Sequence, residues 1–215
     1  MTGMKLYGAH RAINSDRVTL FLAEKGVDVV FVPVNIMAGE HYAPEYRKSI
    51  APNARVPALQ LEDGTVIRES VAICRYFEEL HPETALFGRG ALQKAQVEMW
   101  QRLMEFELML PIAMAFRHGH AAAAAIQKPQ IAEYAEACKQ QAHKRLEVLN
   151  KELADREYLA GDFSIADITA YLSIGFGRLS KIRPADDASH TQSWLERVAA
   201  RPGIAKGLAI IGGKA

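Results

Sequence analysis

VPALQLEDGTVIRES, residues 56–70, is the part of the sequence from which the fold is most directly inferred. Two short apolar runs flank the pair Asp63-Gly64. An Asp-Gly pair supplies the positive φ angles that a tight hairpin turn requires. The stretch therefore predicts two antiparallel strands that lead into a helix near Glu69-Ser70, where apolar side chains begin to recur at helical spacing.

The residues before this hairpin predict a strand, a helix and a second strand. A short apolar run from Met4 to Gly8 gives the first strand, and helical spacing extends from Asp16 to Lys25. The second strand is a β-branched and aromatic run over residues 29–32. Because a helical crossover joins the two strands, we expect them to be parallel.

The residues after the hairpin predict the end of one domain and the start of another. The helix ends at His81-Pro82, because proline disfavours helical geometry in the residue before it. Residues 83–90 have the composition of a linker, and the rest of the chain is rich in good helix formers. We predict an α+β protein with two domains. Residues 1–82 have the order β-α-β, short helix, β-β-α, and residues 90–215 form an all-α helical bundle.

Two long helical segments dominate the second domain. The first extends from Ala91 to about Phe116 and is expected to bend at Pro111, which lacks a backbone donor. The second covers residues 130–154. The alanine run between them, residues 121–125, is compatible with a helix or with a connector, and we favour a connector.

A capping pattern begins another helix of the second domain. Ser164 is followed three residues later by Asp167. The serine oxygen can accept a hydrogen bond from an early helical N–H while the carboxylate reaches back to the start of the helix. We interpret both residues as structural.

The bulk composition is that of an ordinary globular protein. Of the 215 residues, 49% are hydrophobic and 24% are charged, and the formal net charge is +1. This charge is too small to favour nucleic acid or an anionic membrane as a partner. The sequence shows neither a signal peptide nor the run of about 18 apolar residues that a membrane span needs, so we expect a cytoplasmic protein.

The spacing of cysteine and histidine predicts neither a metal centre nor a redox centre. Cys74 and Cys138 form no CxxC pair and are expected to be reduced thiols. His118 and His120 lack the further ligands that a closed coordination shell needs. We expect no bound metal.

Several motifs, in their order and spacing, resemble those of cytosolic glutathione transferases over nearly the whole chain. They are KLYG at 5–8, EKG at 24–26, GEH at 39–41, APNARVPAL at 51–59, ESVAICRYFEELHP at 69–82 and FSIADITA at 163–170. The chain most resembles bacterial relatives of the phi, theta and zeta classes.

The resemblance implies a fold, a reaction and an assembly. The first domain would be thioredoxin-like and would bind glutathione as a co-substrate, and a helical bundle would follow it. A hydrophobic electrophile would bind between the two domains, and the enzyme would be a cytoplasmic homodimer with a role in detoxification. The alternatives are a glutathione-dependent peroxidase or disulfide reductase, and a non-catalytic glutathione-binding protein.

The matched motifs carry candidate contacts for the backbone and the γ-glutamyl end of glutathione. Val56-Pro57 resembles the cis-proline step of the family, where the residue before proline pairs with the cysteinyl backbone like an added strand. Ser70 lies at a helix start, which favours the γ-glutamyl carboxylate, and Glu69 can accept from the ammonium group. A Glu-Ser pair at a helix start is also typical of a plain helix cap.

Two basic residues are candidates for the carboxylates of glutathione. His41 resembles a family position that meets the glycine carboxylate. Arg55 can bind the same group or position the glutamyl end through charge-assisted hydrogen bonds. Tyr42 stands where many relatives carry a lysine, so one anion contact is expected to be missing.

The group that activates the thiol departs from the pattern of serine-type relatives, because alignment places Ala12 at the position of their catalytic serine. Asn14 can direct an amide N–H at the sulfur and is our first candidate, and Ser15 can offer a hydroxyl or act as a helix cap. Tyr7 is interpreted as a core residue, and Arg17 as a structural residue of the first helix.

The second-substrate pocket is expected to involve the end of the first long helix of the second domain. Arg117 and His118 lie there, beside several methionines. We expect one of them to bind the polar end of an electrophile, whose identity the sequence does not specify.

Overall fold

Helices make up most of the chain in the computed structural model, which describes residues 3–212. The strands are β1 Lys5–Gly8, β2 Val30–Pro33, β3 Ala58–Gln60 and β4 Val66–Arg68. The helices are α1 Ile13–Lys25, α2 Pro44–Ser49, α3 Ser70–Leu80, α4 Gly90–Leu103, α5 Leu110–Gly119, α6 Ala132–Glu152, α7 Ile165–Gly177, α8 Ser189–Ala199 and α9 Pro202–Gly212. Single 3₁₀ turns lie at Glu40–Tyr42, Ala121–Ala123 and Arg178–Ser180.

The four strands form one sheet in the order β2-β1-β3-β4. β1 pairs with β2 in parallel, with Leu6 opposite Phe31, and antiparallel with β3, with Leu6 opposite Leu59. β3 and β4 are antiparallel and place Leu59 opposite Ile67. Both the parallel pair joined by α1 and the predicted hairpin are therefore present.

The first helix begins three residues earlier than its apolar spacing predicts. The residue that caps its N-terminus is Ala12, so the interpretation of Ser15 as the cap is wrong. The helix ends at Gly26, which adopts the left-handed conformation with φ 67° and donates its N–H to the last turn. Glycine carries no steric penalty in that conformation, and this explains the sharp end.

Contacts divide the chain into two compact units. The first contains the described residues up to Ala85 and from Arg201 onward, and the second contains Leu86–Ala200. The predicted limits of the two domains, at residues 82 and 90, stay a prediction. Within the first unit the last helix, α9, packs against α1, a placement that its sequence pattern does not indicate.

The packing of α9 on α1 depends on a carboxylate and on a glycine. Glu24 accepts hydrogen bonds from the side chain of Arg201 at 2.9 Å and from the backbone N–H of Ile204 at 3.0 Å. At Gly207, a Cβ atom would lie 2.6 Å from the side chain of Leu20. Glutamate therefore caps the start of α9, and glycine lets the two helices approach closely.

A lysine holds the end of α3 within the first unit. The side chain of Lys25 is shielded from solvent, and its ammonium lies 2.7 Å from the carboxylate of Glu78. The same ammonium donates to the carbonyl of His81 at 2.7 Å and to that of Thr84 at 2.6 Å. Three acceptors thus compensate a cation that burial would otherwise destabilise.

The long helix of the second unit changes its winding before Pro111. A wider π-helical turn, Met104–Met109, separates α4 from α5. Because proline has no N–H to donate to the preceding turn, a change in winding at this point relieves the conflict that the sequence predicts. The alanine run that follows forms the short 3₁₀ turn Ala121–Ala123, which agrees with a connector.

Asp167 joins three parts of the second unit. It is fully buried, and its carboxylate accepts hydrogen bonds from the backbone N–H of Leu159, from Trp194 Nε1 and from both the N–H and the hydroxyl of Ser164. Ser164 in turn accepts from the N–H of Ala166, so the predicted capping box is present. Burial raises the pKa of Asp167 to about 6, although the donated hydrogen bonds act to lower it.

Within the described range 3–212, no helix combines the length and the apolar character that crossing a lipid bilayer requires.

Replacing Asp167 with alanine is expected to lower the free energy of unfolding by about 3–5 kcal/mol, because buried donors would lose their acceptor. Urea unfolding followed by tryptophan fluorescence measures the change. The exposed Asp155→Ala is the matched control and should stay within about 0.5 kcal/mol of the parent. Equal effects of the two substitutions would contradict the structural role of Asp167.

Candidate active site

The register of the sheet brings three loops of the first unit to the same end. Tyr7, near the end of β1, pairs with Ala58 at the start of β3, and Ala58 pairs with Arg68 at the end of β4. The loop after β1, the segment before β3 and the start of α3 therefore lie side by side. These segments carry most of the residues that the motifs single out.

Backbone strain is concentrated in the same loops. Arg11, Ala54 and Glu69 have positive φ angles of 65°, 53° and 71°. Such conformations cost non-glycine residues about 1–3 kcal/mol each and cluster at ligand-binding and catalytic sites. Their positions mark this end of the sheet as the candidate active site.

Two buried side chains hold the loop between β1 and α1. Ser15 is completely buried, and its hydroxyl oxygen accepts from the N–H of Ala9 at 3.2 Å. The carboxylate of Asp16 accepts from the N–H of Arg11 at 3.1 Å. Burial raises the pKa of Asp16 to about 7, against the opposing effects of the hydrogen bond and the charge of Arg11. Both side chains fix the backbone of the loop on either side of Ala12.

Asn14 is half-buried at the start of α1 and is oriented by a neighbour on the same helix. Its carbonyl oxygen accepts from Arg17 Nη1 at 3.5 Å. With the carbonyl assigned to this side, the amide NH₂ group points away from Arg17 as a donor. Asn14 can therefore direct an N–H towards a bound ligand.

Ser70 is the first residue of α3, and a buried cation contacts it. Its hydroxyl oxygen accepts from Arg17 Nη1 at 2.7 Å, and both side chains are almost completely buried. Glu69, just before the helix, is exposed. The free N–H groups at a helix start favour an anion, and the exposed carboxylate beside them favours a cation, so the pair suits a zwitterionic ligand.

The Val56–Pro57 peptide bond is cis, as the resemblance implies. Val56 is half-buried and precedes the paired register of β3, which begins at Ala58. Arg55 is exposed, and its backbone carbonyl accepts from the hydroxyl of Tyr46 at 2.8 Å. The contact between Arg55 and a carboxylate stays a prediction.

His41 contributes a buried imidazole to the first unit. It is 8% exposed, and its Nδ1 atom has no hydrogen-bond partner within residues 3–212. Its ring lies 4.0 Å from that of the exposed Tyr42. Burial lowers the pKa of His41, so the ring is neutral at pH 7 and can donate through one nitrogen only.

Tyr7 contacts neighbouring residues of the first unit. Its hydroxyl donates to the side chain of Gln60 at 3.1 Å, and its ring packs against a core cluster that includes Ile50 and Ala51. These contacts agree with the interpretation of Tyr7 as a core residue.

Arg117 and His118 lie half-buried at the end of α5 in the second unit. The backbone carbonyl of Arg117 accepts from the side chain of Gln130 at 2.9 Å. His118 Nδ1 accepts from the N–H of Ile131 at 3.2 Å, and its ring meets the edge of Tyr134 at 5.0 Å. His118 thus connects the end of α5 to the segment that begins α6.

The sequence analysis missed the contribution of Arg17 to this site and the buried carboxylate of Asp16. Both lie in the first two turns of α1, and a charged pair directly before the largely apolar run of residues 18–23 is the signal that points to them. A charged side chain is rarely buried unless it has a specific partner.

Models of two protein-domain families match the chain. The N-terminal domain of glutathione S-transferases matches residues 13–80, and the C-terminal domain matches residues 104–202. The chain belongs to the glutathione S-transferase family. This confirms the family, the α+β fold class and the glutathione transferase function predicted from the sequence.

Relatives and solved structures of this family resemble the chain over most of its length. Glutathione S-transferase 2 of Saccharomyces cerevisiae is 32% identical over 200 residues, which cover 90% of this chain and 84% of the relative. The crystal structure of Gtt2 from Saccharomyces cerevisiae has a TM-score of 0.88 at 30% identity and covers 94% of this chain and 99% of its own. Gtt2 of Vibrio parahaemolyticus has a TM-score of 0.81 at 35% identity, with 94% and 96% covered.

Among residues 3–212, no group of three or more histidine, cysteine, aspartate or glutamate side chains is arranged to hold a metal ion. The absence of a bound metal stays a prediction.

Asp16 is expected to make the stability of this glutathione transferase depend on pH. Its pKa of about 7 in the folded state exceeds the usual value of 3.8, so the folded chain holds a proton that the unfolded chain has released. The free energy of unfolding should therefore contain a contribution that falls as pH rises from about 4 to about 7. Asp16→Asn removes this contribution. The free energy of unfolding of the variant, relative to that of the parent, should therefore rise as pH increases from about 4 to about 7.

Urea unfolding of parent and variant at a series of pH values measures the difference. The exposed Asp155→Asn is the control and should show a constant offset from the parent. A constant offset for Asp16→Asn as well would contradict the assignment.

Proposed function

We propose that the first unit binds glutathione across the three adjoining loops and stabilises its thiolate for attack on an electrophilic small molecule. The observation that carries the proposal is the convergence of Asn14, Val56 and Ser70 at one end of the sheet. Val56 and Ser70 stand where the family motifs predict glutathione contacts, and Asn14 lies two residues after Ala12, at the start of α1. A cytoplasmic role in detoxification, implied by the resemblance, belongs to the same proposal.

The γ-glutamyl end of glutathione would bind at the start of α3. The Ser70 hydroxyl and the free N–H groups of the helix would donate to its carboxylate, because the helix dipole favours an anion there. The exposed carboxylate of Glu69 would accept from its ammonium group. The two charges of this end would therefore meet opposite partners on adjacent residues.

The rest of the tripeptide would extend along the start of β3. The N–H and C=O of Val56 would pair with the cysteinyl backbone as an added strand does, a mode of recognition that tolerates valine because only backbone groups take part. The glycine carboxylate would accept from His41 or Arg55. A contact from the neutral ring of His41 would be a hydrogen bond, whereas a contact from Arg55 would be an ion pair.

Thiolate formation would depend on Asn14 and on the start of α1. A thiol has a pKa of about 8.5 in solution, and each unit of depression requires about 1.4 kcal/mol of preferential stabilisation of the thiolate. The Asn14 amide N–H and the free N–H groups of the helix can supply such stabilisation. The thiol proton would pass to solvent. The sulfur lone pair would then form a bond to the electrophilic carbon as the leaving group departs with the electrons of its bond.

Ser15 remains a proposed member of the catalytic loop. Its complete burial and its bond to Ala9 favour a role in shaping the loop around Ala12 over direct contact with sulfur. We therefore favour Asn14 over Ser15 as the donor to the thiolate.

The second substrate is proposed to be an apolar electrophile with a polar end that contacts Arg117 or His118. The ring of Phe116, next to them, lies 4.8 Å from that of His120 and 5.1 Å from that of Phe176, so apolar and polar groups adjoin at the end of α5. Turnover of a halogenated aromatic, an organic hydroperoxide and a glutathione mixed disulfide would separate conjugation from the peroxidase and reductase alternatives.

The ultraviolet absorbance of bound thiolate against pH tests the catalytic proposal. We expect the thiol of bound glutathione to titrate about 2 pKa units below free glutathione, and Asn14→Ala to raise this pKa by about 1 unit. The exposed Asn53→Ala is the matched control and should leave the value unchanged. An unshifted thiol in the parent, with binding retained, would favour a non-catalytic glutathione-binding protein.

A homodimer is proposed to form through the exposed apolar side chains of the long helix. Leu92, Met99, Phe106 and Leu110 are 73%, 51%, 56% and 45% exposed and follow one another along α4, the π-helical turn and the start of α5. Leu92 and Met99, seven residues apart, lie on one face of α4. An exposed stripe of this kind is typical of an interface between copies of a chain.

Phe106→Glu is expected to shift the chain from dimer to monomer, because a charge would be buried in the interface without a partner. Sedimentation analysis over a range of concentrations measures the change. Ile126→Glu, at a position 48% exposed outside this stripe, is the control and should remain dimeric. If Ile126→Glu became monomeric while Phe106→Glu stayed dimeric, the interface would not lie on this stripe.

A further inference from the structure

The buried guanidinium of Arg17 contacts Ser70, which we propose for the γ-glutamyl end of glutathione, and Asn14, which we propose as the donor to its thiolate. Arg17 is 1% exposed. Its Nη1 atom donates to the hydroxyl oxygen of Ser70 at 2.7 Å and to the carbonyl oxygen of Asn14 at 3.5 Å. Ser70 is 53 residues away along the chain, so the contact joins α1 to the start of α3.

We propose that Arg17 is a positioning residue that orients Ser70 and Asn14 and adds a positive charge behind them, so that binding of the γ-glutamyl carboxylate and stabilisation of the thiolate depend on one side chain. This inference rests on the proposed function, because it assigns a role within the same site. Arg17 itself need not touch the substrate.

The contact with Ser70 determines which way its hydroxyl hydrogen points. A guanidinium has donors and no acceptor, so the Ser70 oxygen must accept from Arg17. The hydroxyl hydrogen must then be directed elsewhere and is available to a ligand carboxylate. A hydrogen bond from a cation also polarises the hydroxyl, which makes it a stronger donor.

The contact with Asn14 determines the orientation of its amide. An amide carbonyl that faces a guanidinium is favourable, whereas an NH₂ group in the same place would oppose two donors. Arg17 therefore keeps the NH₂ group of Asn14 on the side away from itself. That group is the one proposed to donate to the sulfur.

The charge of Arg17 also favours thiolates through space. Burial raises the pKa of the Cys74 thiol on α3, and the positive charge of Arg17 acts in the opposite direction. A thiolate bound near Asn14 would be stabilised by the same charge, because screening by solvent is weak around a buried group. A purely structural link between α1 and α3 would leave such a thiolate unaffected.

Arg17→Met, which keeps an unbranched apolar stem and removes the charge and the donors, provides the test. We expect the KM for glutathione to rise about tenfold and the pKa of the bound thiol to rise by about 1 unit. Arg17→Lys should restore part of the lowering of the thiol pKa, because lysine supplies a positive charge. It should not restore the KM, because lysine lacks the planar set of donors of a guanidinium. The exposed Arg183→Met is the control and should change neither value.

A folded Arg17→Met with the KM and thiol pKa of the parent would overturn the inference while leaving the proposed function intact. If the parent itself shows no shift of the thiol pKa, the proposed function fails, and this inference fails with it.

If Arg17→Met does not fold, a double-mutant cycle of Asn14→Ala and Ser70→Ala tests the same inference while Arg17 stays in place. Because one guanidinium serves both residues, we expect their effects on kcat/KM to be coupled by about fivefold. Purely additive effects would overturn the inference.

Discussion

Tyr7, Ala58 and Arg68 lie side by side across β1, β3 and β4, and this register determines where the active site forms. The two antiparallel pairings place the end of β1, the start of β3 and the end of β4 at one edge of the sheet. A shift of one residue would move every core side chain of a strand to the opposite face, so the packing of the core also maintains the register. The register of the strands therefore sets the positions of the loops that begin at this edge.

Buried polar side chains then define the shape of these loops. Ser15 and Asp16 accept backbone N–H groups of the loop after β1, and Arg17 reaches across to the start of α3. Each of them removes a polar group from water, a cost that its hydrogen bonds offset. A site built in this way is rigid before the substrate arrives, which reduces the entropy lost on binding.

In the two buried aspartates, burial and donated hydrogen bonds have opposite effects on the pKa of the carboxyl group. Burial raises the pKa of both, to about 7 for Asp16 and to about 6 for Asp167. Asp167 accepts from Leu159, Ser164 and Trp194, whereas Asp16 accepts from the N–H of Arg11. Donated hydrogen bonds favour the ionised form, so in both side chains they oppose the effect of burial.

The elements that were predicted correctly depend on short-range chemistry. The Asp63-Gly64 turn, the end of α1 at Gly26 and the capping box at Ser164 each result from the steric or hydrogen-bonding preferences of a few adjacent residues. The candidate residues of the site were also chosen from local patterns, and their roles stay predictions.

Other features depend on residues far apart in the chain and could not be read from local patterns. Serine before aspartate is typical of a helix cap, yet Ser15 bonds to Ala9 because the helix begins earlier, at Ile13. The partner of Arg17 is 53 residues away, and α9 packs on α1 through a contact between Glu24 and Arg201, which are 177 residues apart. Spacing along a sequence specifies which face of a helix is apolar, but the partner that buries a charge is selected only when the chain has folded and excluded the competing water.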